Sequence, residues 1–342
     1  MPWKPFAILH PGVFVLALIT GCGQSQEEGF QIYVDPEEVG NLPIRIKGVY
    51  YWNDVTIDPL PPLQRLNLQF STDLVKVDGL KINADGGDDK WNALYINGYA
   101  DNPDLVVNPI IPFEVIRDAV KRADAAGFDV VCHCFGDLAV RALLDMIETA
   151  NEANPDRDRR HKLSHATLVH PDDLARFGEL GVIYDTSGGW MSLDPLLQSL
   201  TLKRLGRDRR DAMFPMKAVA DAGGNVSLGS DWTVSGYASE FRPLVAIRTA
   251  VTRQLPGRDD QPPLGGEDAR MPLELAIHAS TLGAAYGMGM DDKIGSIEVG
   301  KLADLVVLDQ NLFVIPPHDI HTVNILSTYM NGKLVHGSSR DQ

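Results

Sequence analysis

Asp129-Val130-Val131-Cys132-His133-Cys134-Phe135-Gly136-Asp137 is the stretch whose reading decides the fold. Its first six residues form a short, largely apolar run of the kind that suits a strand covered on both faces. A helical pattern lies on each side. Residues 112–126 place Val115, Ile116, Ala119, Val120 and Ala123 on one stripe, with Gly127 suited to the C′ position. Residues 138–150 repeat the pattern with Val140, Leu143, Leu144 and Ile147. A strand held between two amphipathic helices is the repeating unit of a parallel sheet.

Working outward, the same alternation recurs. Further strands are expected at 43–49, 80–84, 162–165, 181–185 and 225–230, and a shorter helix from near Asp172 to near Gly181. Six or seven such units favour an α/β fold of the TIM-like (β/α) barrel type over a doubly wound sheet. No glycine fingerprint for a dinucleotide follows any strand, and no internal repeat of fixed period is visible. After Gly287 the texture changes. Residues 295–308 read as a turn and a strand, and 328–335 as a hairpin turning on Asn331-Gly332. The expected organisation is therefore 27–287 as the barrel and 288–342 as a small C-terminal β element.

Residues 1–26 admit two readings. The run from Phe6 to Thr20 is mostly apolar and ends Leu18-Ile19-Thr20-Gly21-Cys22, which resembles a lipoprotein cleavage site with Cys22 as the lipidated residue. Alternatively Val13 to Ile19 is a buried parallel strand followed by a glycine-rich loop. The first reading implies a membrane-anchored lipoprotein, the second a cytoplasmic chain. The run is too short, and too interrupted by His10-Pro11-Gly12, to read as a transmembrane helix.

Charge narrows the partners. Asp and Glu total 46 against 31 Lys and Arg, a formal net charge of −15. Such a surface repels phosphate backbones and anionic lipid, which argues against a nucleic-acid partner and leaves membrane contact to a lipid on Cys22. A homo-oligomer stays open. The three cysteines build no disulfide framework, because Cys132 and Cys134 sit two apart on one strand.

Five polar residues stand at or beside the C-terminal ends of expected strands, where barrel enzymes place their chemistry. Lys81 lies in Leu80-Lys-Ile-Asn-Ala-Asp-Gly86. In an ordinary strand it would be an exposed edge residue, whereas inside a barrel its ammonium is desolvated and the neutral amine becomes able to take up CO2 as a carbamate. His133 is either a hydrogen-bonded core residue or a ligand, with Cys132 and Cys134 pointing away from it. His165 ends the next strand, and two imidazoles at successive strand ends converge on one mouth, a zinc-like pattern. Asp231, closing Val226-Ser-Leu-Gly-Ser-Asp-Trp232, either caps the next helix or acts as ligand and proton acceptor. Asp85 precedes two glycines and either joins the site or fixes a turn. His161, His170 and His278 are less attractive, and His318, His321 and His336 lie in the tail, far from any barrel strand.

These motifs, in this order and with Gly295-Ser-Ile-Glu-Val-Gly-Lys-Leu-Ala-Asp-Leu-Val-Val-Leu-Asp309 behind them, resemble the amidohydrolase superfamily. More narrowly they are similar to the amidohydrolase-3 group, which includes N-substituted formamide deformylases and YtcJ-like hydrolases. The resemblance runs from about Leu42 to the C-terminus. It implies a distorted TIM barrel with a β-sandwich attached, one or two divalent ions such as Zn2+, a carbamylated Lys81 bridging metal, His133 and His165 as ligands of one zinc, and Asp231 as ligand and general base. The implied reaction is hydrolysis of an amide-like, non-peptide C–N bond in a small molecule. There is one departure: family members open with a strand carrying His-x-His, and no His-x-His occurs anywhere in this sequence. The expectation is a barrel lacking its first strand and retaining the half-site of Lys81, His133 and His165. The alternative is a catalytically impaired fragment or a metal-binding lipoprotein on the same barrel. The loops 91–108 and 188–208 carry no readable substrate code.

Overall fold

A computed structural model describes residues 26–232 and 240–337, together with the backbone of 14–17. Seven strands form one sheet in strict chain order: β1 (Phe14–Ala17), β2 (Arg45–Tyr51), β3 (Val75–Asn83), β4 (Asp129–Cys134), β5 (Lys162–His165), β6 (Ile183–Ser187) and β7 (Asn225–Gly229). Every neighbouring pair is parallel. In-order parallel strands joined by helical crossovers are the construction of an α/β barrel. Among the described residues β1 and β7 do not pair, so the barrel is incomplete.

Register decides which side chains share a surface. Asn83 pairs with His133, His133 with Ser164, Ser164 with Asp185, and Asp185 with Ser227. Laterally paired residues of a parallel sheet face the same way, so this row lines one surface of the sheet. Lys81, two residues before Asn83, is on the same face. Cys132 and Cys134 fall on the opposite one, fully buried in the apolar core and free of any disulfide. That core is made with the crossover helices, among them the pair at Phe113–Ala125, which buries Ile116, Ala119, Val120 and Ala123, and Asp137–Ala153, which buries Leu143, Leu144 and Ile147.

Several element bounds differ from the expectation. The strand expected at 80–84 begins at Val75, because Val75 and Val77 are buried around an exposed Lys76, an alternation that continues through Asp78-Gly79 rather than stopping there. The single helix expected across 172–181 is two short turns, Pro171–Asp173 and Arg176–Glu179. Buried Asp173 pins the first by binding Arg141 and Arg176. Of the N-terminal apolar run, Phe14–Ala17 is a parallel strand against β2, as the second reading had it. Cys22 lies outside the described residues. No helix among the described residues is long and apolar enough to cross a membrane.

The C-terminal element is a three-stranded antiparallel sheet, β8 (Leu305–Leu308), β9 (Ile325–Met330) and β10 (Lys333–Gly337), in the order β10-β9-β8. Asn331 and Gly332 both have positive φ, 50° and 75°, as a two-residue type I′ turn requires. The turn and then strand expected over 295–308 are both present: Lys301 reaches back to Ser296 and Glu298 and holds the turn, and the strand runs from Leu305. This sheet is tied to the barrel: Asn331 N–H donates to Asp304 (2.7 Å), and Asp304 pairs with Arg45 at the start of β2. Nearby charges close the lower end of the barrel. Lys47 lies 3.4 Å from Asp78 and 3.7 Å from Asp129, and His161 lies 3.3 Å from Asp124. His161 is thus a structural residue of the barrel floor.

Candidate functional site

At the C-terminal ends of β4 and β5 the rings of His133 and His165 meet edge-on, with centroids 4.6 Å apart. Strict alternation would turn His165 to the same side as its register partner Cys134. Instead His165 has φ 71° and Ala166 φ 35°, so the chain leaves the strand at the histidine and its ring comes round to His133. Asp231, just past β7, is left-handed as well, at φ 53°. Left-handed backbone costs a non-glycine residue about 1–2 kcal/mol, and such strain clusters at sites where geometry matters more than stability.

Lys81 is 3% exposed on the inner face of β3. Burial pulls its amine below the ordinary lysine range, while Cys132, Cys134, Asp185 and Asp231 push the other way. His133 is pushed down to about 3 by burial and then by the charge of Lys81, the Gly86 backbone opposing. His165 is held well below its ordinary value by burial, then by His133 and Lys81. Both imidazoles are therefore neutral at pH 7, with lone pairs available to a metal. Asp231 is pushed up to about 6 by burial, against a hydrogen bond from Trp190 and the charge of Lys81. Its Oδ2 accepts from Trp190 Nε1 at 3.4 Å and lies 3.9 Å from His165 Nδ1.

The most telling atom is His133 Nε2. It is buried and has no hydrogen-bond partner among the described residues, and the carboxylate oxygen Asp85 Oδ1 stands 4.0 Å away. Buried ring nitrogens are normally satisfied, and an exception calls for an unseen ligand or a functional reason. Asp85 itself is occupied elsewhere. It is fully buried and accepts the backbone N–H groups of Leu94 (2.8 Å), Phe135 (2.8 Å) and Gly136 (3.0 Å), and burial pushes it up to about 7. It ties the segment after β3 to the start of the Asp137–Ala153 helix, the turn-fixing role of its two readings.

Lys81, His133, His165 and Asp231 thus come to one barrel mouth, and Asp85 stands behind it. Among the described residues no three His, Cys, Asp or Glu side chains gather closely enough to hold a metal, and Lys81 is the further polar side chain on the face of His133. Two neighbours escaped the sequence reading. Asp185, on β6, bonds Ser164 Oγ at 3.3 Å and faces Lys81, which the period of β6 and its place in the row could have revealed. Trp190 follows the glycine pair Gly188-Gly189, and no local pattern indicates that its indole reaches Asp231.

The sequence profile of the Amidohydrolase family, Amidohydro_3, matches residues 14–336. The chain belongs to this family. It is 32% identical over 258 residues to the protein LONG AFTER FAR-RED 3 of Arabidopsis thaliana, covering 75% of this chain and 42% of that protein. It is 27% identical over 224 residues to the N-substituted formamide deformylase of Arthrobacter pascens, covering 64% of this chain and 38% of that one. Among solved structures, an uncharacterized metal-dependent hydrolase from Pyrococcus horikoshii superposes with a TM-score of 0.69 at 21% identity, over 85% of this chain and 55% of that one. The chain accordingly spans less than half the length of these two curated relatives, and the likeness to the solved amidohydrolase-like structure is one of fold.

Proposed function

We propose that this amidohydrolase-family chain is a metal-dependent hydrolase of a small molecule, cleaving an amide-like, non-peptide C–N bond with an activated water. The observation that carries the reading is the orphaned, buried Nε2 of neutral His133 beside His165 and desolvated Lys81. These residues fit a divalent ion such as zinc: two imidazoles supply nitrogen donors, and Lys81 supplies a third ligand once its neutral amine has taken up CO2. Such an ion supplies Lewis acidity, polarising a carbonyl and lowering the pKa of water. The chain's own residues do the rest. His133 and His165 fix the ion's position. Asp231, pushed up to about 6, takes a proton from water near neutral pH and returns it to the leaving nitrogen. Trp190 holds the Asp231 carboxylate by the oxygen nearest His165.

A second reading, a chain that binds metal but lacks catalytic power by itself, is favoured by one observation: the sequence contains no His-x-His, and no other His, Cys, Asp or Glu trio replaces it among the described residues.

The test is elemental analysis of the full chain beside a Lys81→Ala, His133→Ala double variant, both prepared with zinc. About one zinc per chain in the parent, lost in the variant, is expected. A folded parent that holds no zinc sinks the hydrolase reading. Zinc without release of amine from N-acyl and formamide compounds favours the second one.

A further inference from the structure

A cavity of about 260 Å³ opens at the C-terminal ends of β2 and β3, with Tyr51, Asp54, Val55, Asn83, Ile110 and Ile111 in its wall. Two of these residues are in register with the site. Tyr51 is the strand partner of Lys81, and Asn83 is the partner of His133. The cavity thus lies beside the barrel mouth, one strand over from the residues of the site. Its volume falls below the ~300–1,000 Å³ that takes a whole drug-sized ligand, so it accommodates one substituent.

The wall is rigid where it meets the site. Tyr51 N–H donates to Gln26 Oε1 at 2.8 Å and Gln26 Nε2 donates to Tyr51 O at 2.9 Å, so a side-chain amide holds this residue as a strand would. Asn83 Nδ2 donates to the Tyr51 hydroxyl at 3.1 Å. That bond uses a phenolic lone pair and directs the phenolic hydrogen away from Asn83.

Charge in the chamber is one-sided. Among the described residues Asp54 is the only carboxylate of the lining, and no Lys, Arg or His accompanies it there. Its Oδ1 accepts from Thr56 N (2.9 Å) and Thr56 Oγ1 (2.7 Å), bonds that hold the acid below the usual range and keep it ionised at neutral pH. The apolar remainder, Val55, Ile110 and Ile111, suits a short methylene chain.

We propose that this chamber is the substituent pocket of the hydrolase, taking the short arm of an amide whose carbonyl sits at His133 and His165, and selecting arms that end in an ammonium or amine over arms that end in a carboxylate. The proposal rests on the hydrolase reading for what the arm is attached to. The preference itself belongs to the chamber and is measured without turnover.

The experiment titrates the zinc-prepared full chain with two probes matched in length, N-(3-aminopropyl)formamide and N-formyl-β-alanine, by ligand-observed NMR at low salt. A single exposed carboxylate, attractive for one probe and repulsive for the other, gives the cationic probe a roughly three- to tenfold lower Kd. Asp54→Asn removes most of that ratio, and added salt shrinks it. Ile110→Trp, at a half-exposed wall position where folding is not at stake, fills the chamber and weakens both probes. Equal affinities, a ratio that survives Asp54→Asn, or no binding of either probe in the millimolar range overturns the pocket. The two readings fail separately. A chain without zinc that still discriminates in an Asp54-dependent way loses the hydrolase and keeps the pocket. A zinc-loaded chain that cleaves formamides without discriminating keeps the hydrolase and loses the pocket.

Discussion

His133 is kept neutral by burial and the charge of Lys81, and His165 by burial, His133 and Lys81, and this has a pH signature in the metal-free protein. An unfolded imidazole takes a proton below about 6.5, whereas folded His133 does so only near 3. Folding therefore expels a proton in that window, and the stability present above 6.5 is lost as pH falls toward 3. The ceiling is about 1.4 kcal/mol per pH unit per imidazole, and His133, one-fifth exposed, falls short of it. Asp85 works the other way: its carboxyl is raised to about 7 when folded, so its contribution is present at low pH and lost as pH rises through 7. The difference between parent and His133→Gln isolates the histidine. Urea unfolding in chelator at pH 7.5, 6.5 and 5.5 is expected to give a shallower loss for the variant, and equal slopes would mean an imidazole open to solvent. On the chemical side, Asp231→Asn is expected to keep bound zinc near the parental level and lower turnover by about 10²–10⁴-fold. A loss below tenfold in steady-state kinetics would remove Asp231 from the proton path. Lys81, His133, His165 and Asp231 were legible because each ends or lies within a short apolar run, where position alone marks a barrel mouth. Trp190 was not, because its bond to Asp231 spans 41 residues and has no local trace.

Among the elements, the junction of β4 with the following helix is the one most tightly specified. Asp85 satisfies three backbone N–H groups there at once, and a Cβ on Gly136 would stand 1.9 Å from Leu94 O. Asp85→Ala leaves three buried donors without an acceptor, and even with partial rescue by water about 3 kcal/mol or more should be lost. Gly136→Ala should cost about 1–3 kcal/mol by forcing the two segments apart. Both losses are readable as shifts in urea midpoint, and a change under 0.5 kcal/mol, about the noise of a surface substitution, would contradict the cradle. Periodicity located β4, β5, β6 and β7 and the two long helices to within a few residues. It shortened β3, since Asp78-Gly79 reads as a breaker until Lys47 is seen pairing with Asp78. The turn before β8 was legible from its glycines, whereas the side-chain bonds of Ser296, Glu298 and Lys301 that hold it were not.

At the scale of the molecule, the small C-terminal sheet leaves two strand edges unpaired among the described residues. β8 and β10 flank β9 and pair with nothing else among the described residues, and Val307 and Leu334 upon them are exposed. A net charge of −15 keeps such edges apart at low ionic strength. Sedimentation should therefore show larger species as salt rises to about 0.5 M, where the Debye length shrinks to a few ångströms, and Leu334→Lys should suppress them. Salt-independent sedimentation would mean the edges are covered. The curled parallel sheet was legible in the sequence, whereas the ties between barrel and small sheet were not, since Arg45 with Asp304 and His318 with Gln254 join residues far apart in the chain, and Ile320 and Val323 enter the barrel's core from the segment before β9.

One of these ties sets an order of events. Arg45 and Asp304 are 259 residues apart, and both are nearly buried. A ribosome adding about 5–20 residues per second needs roughly 13–50 s to make the second partner after the first. Through that interval the start of β2 presents an unneutralised guanidinium where the finished protein presents none. Until then that guanidinium stays in water, and the tie between β2 and the small sheet closes only once the last seventh of the chain has been made.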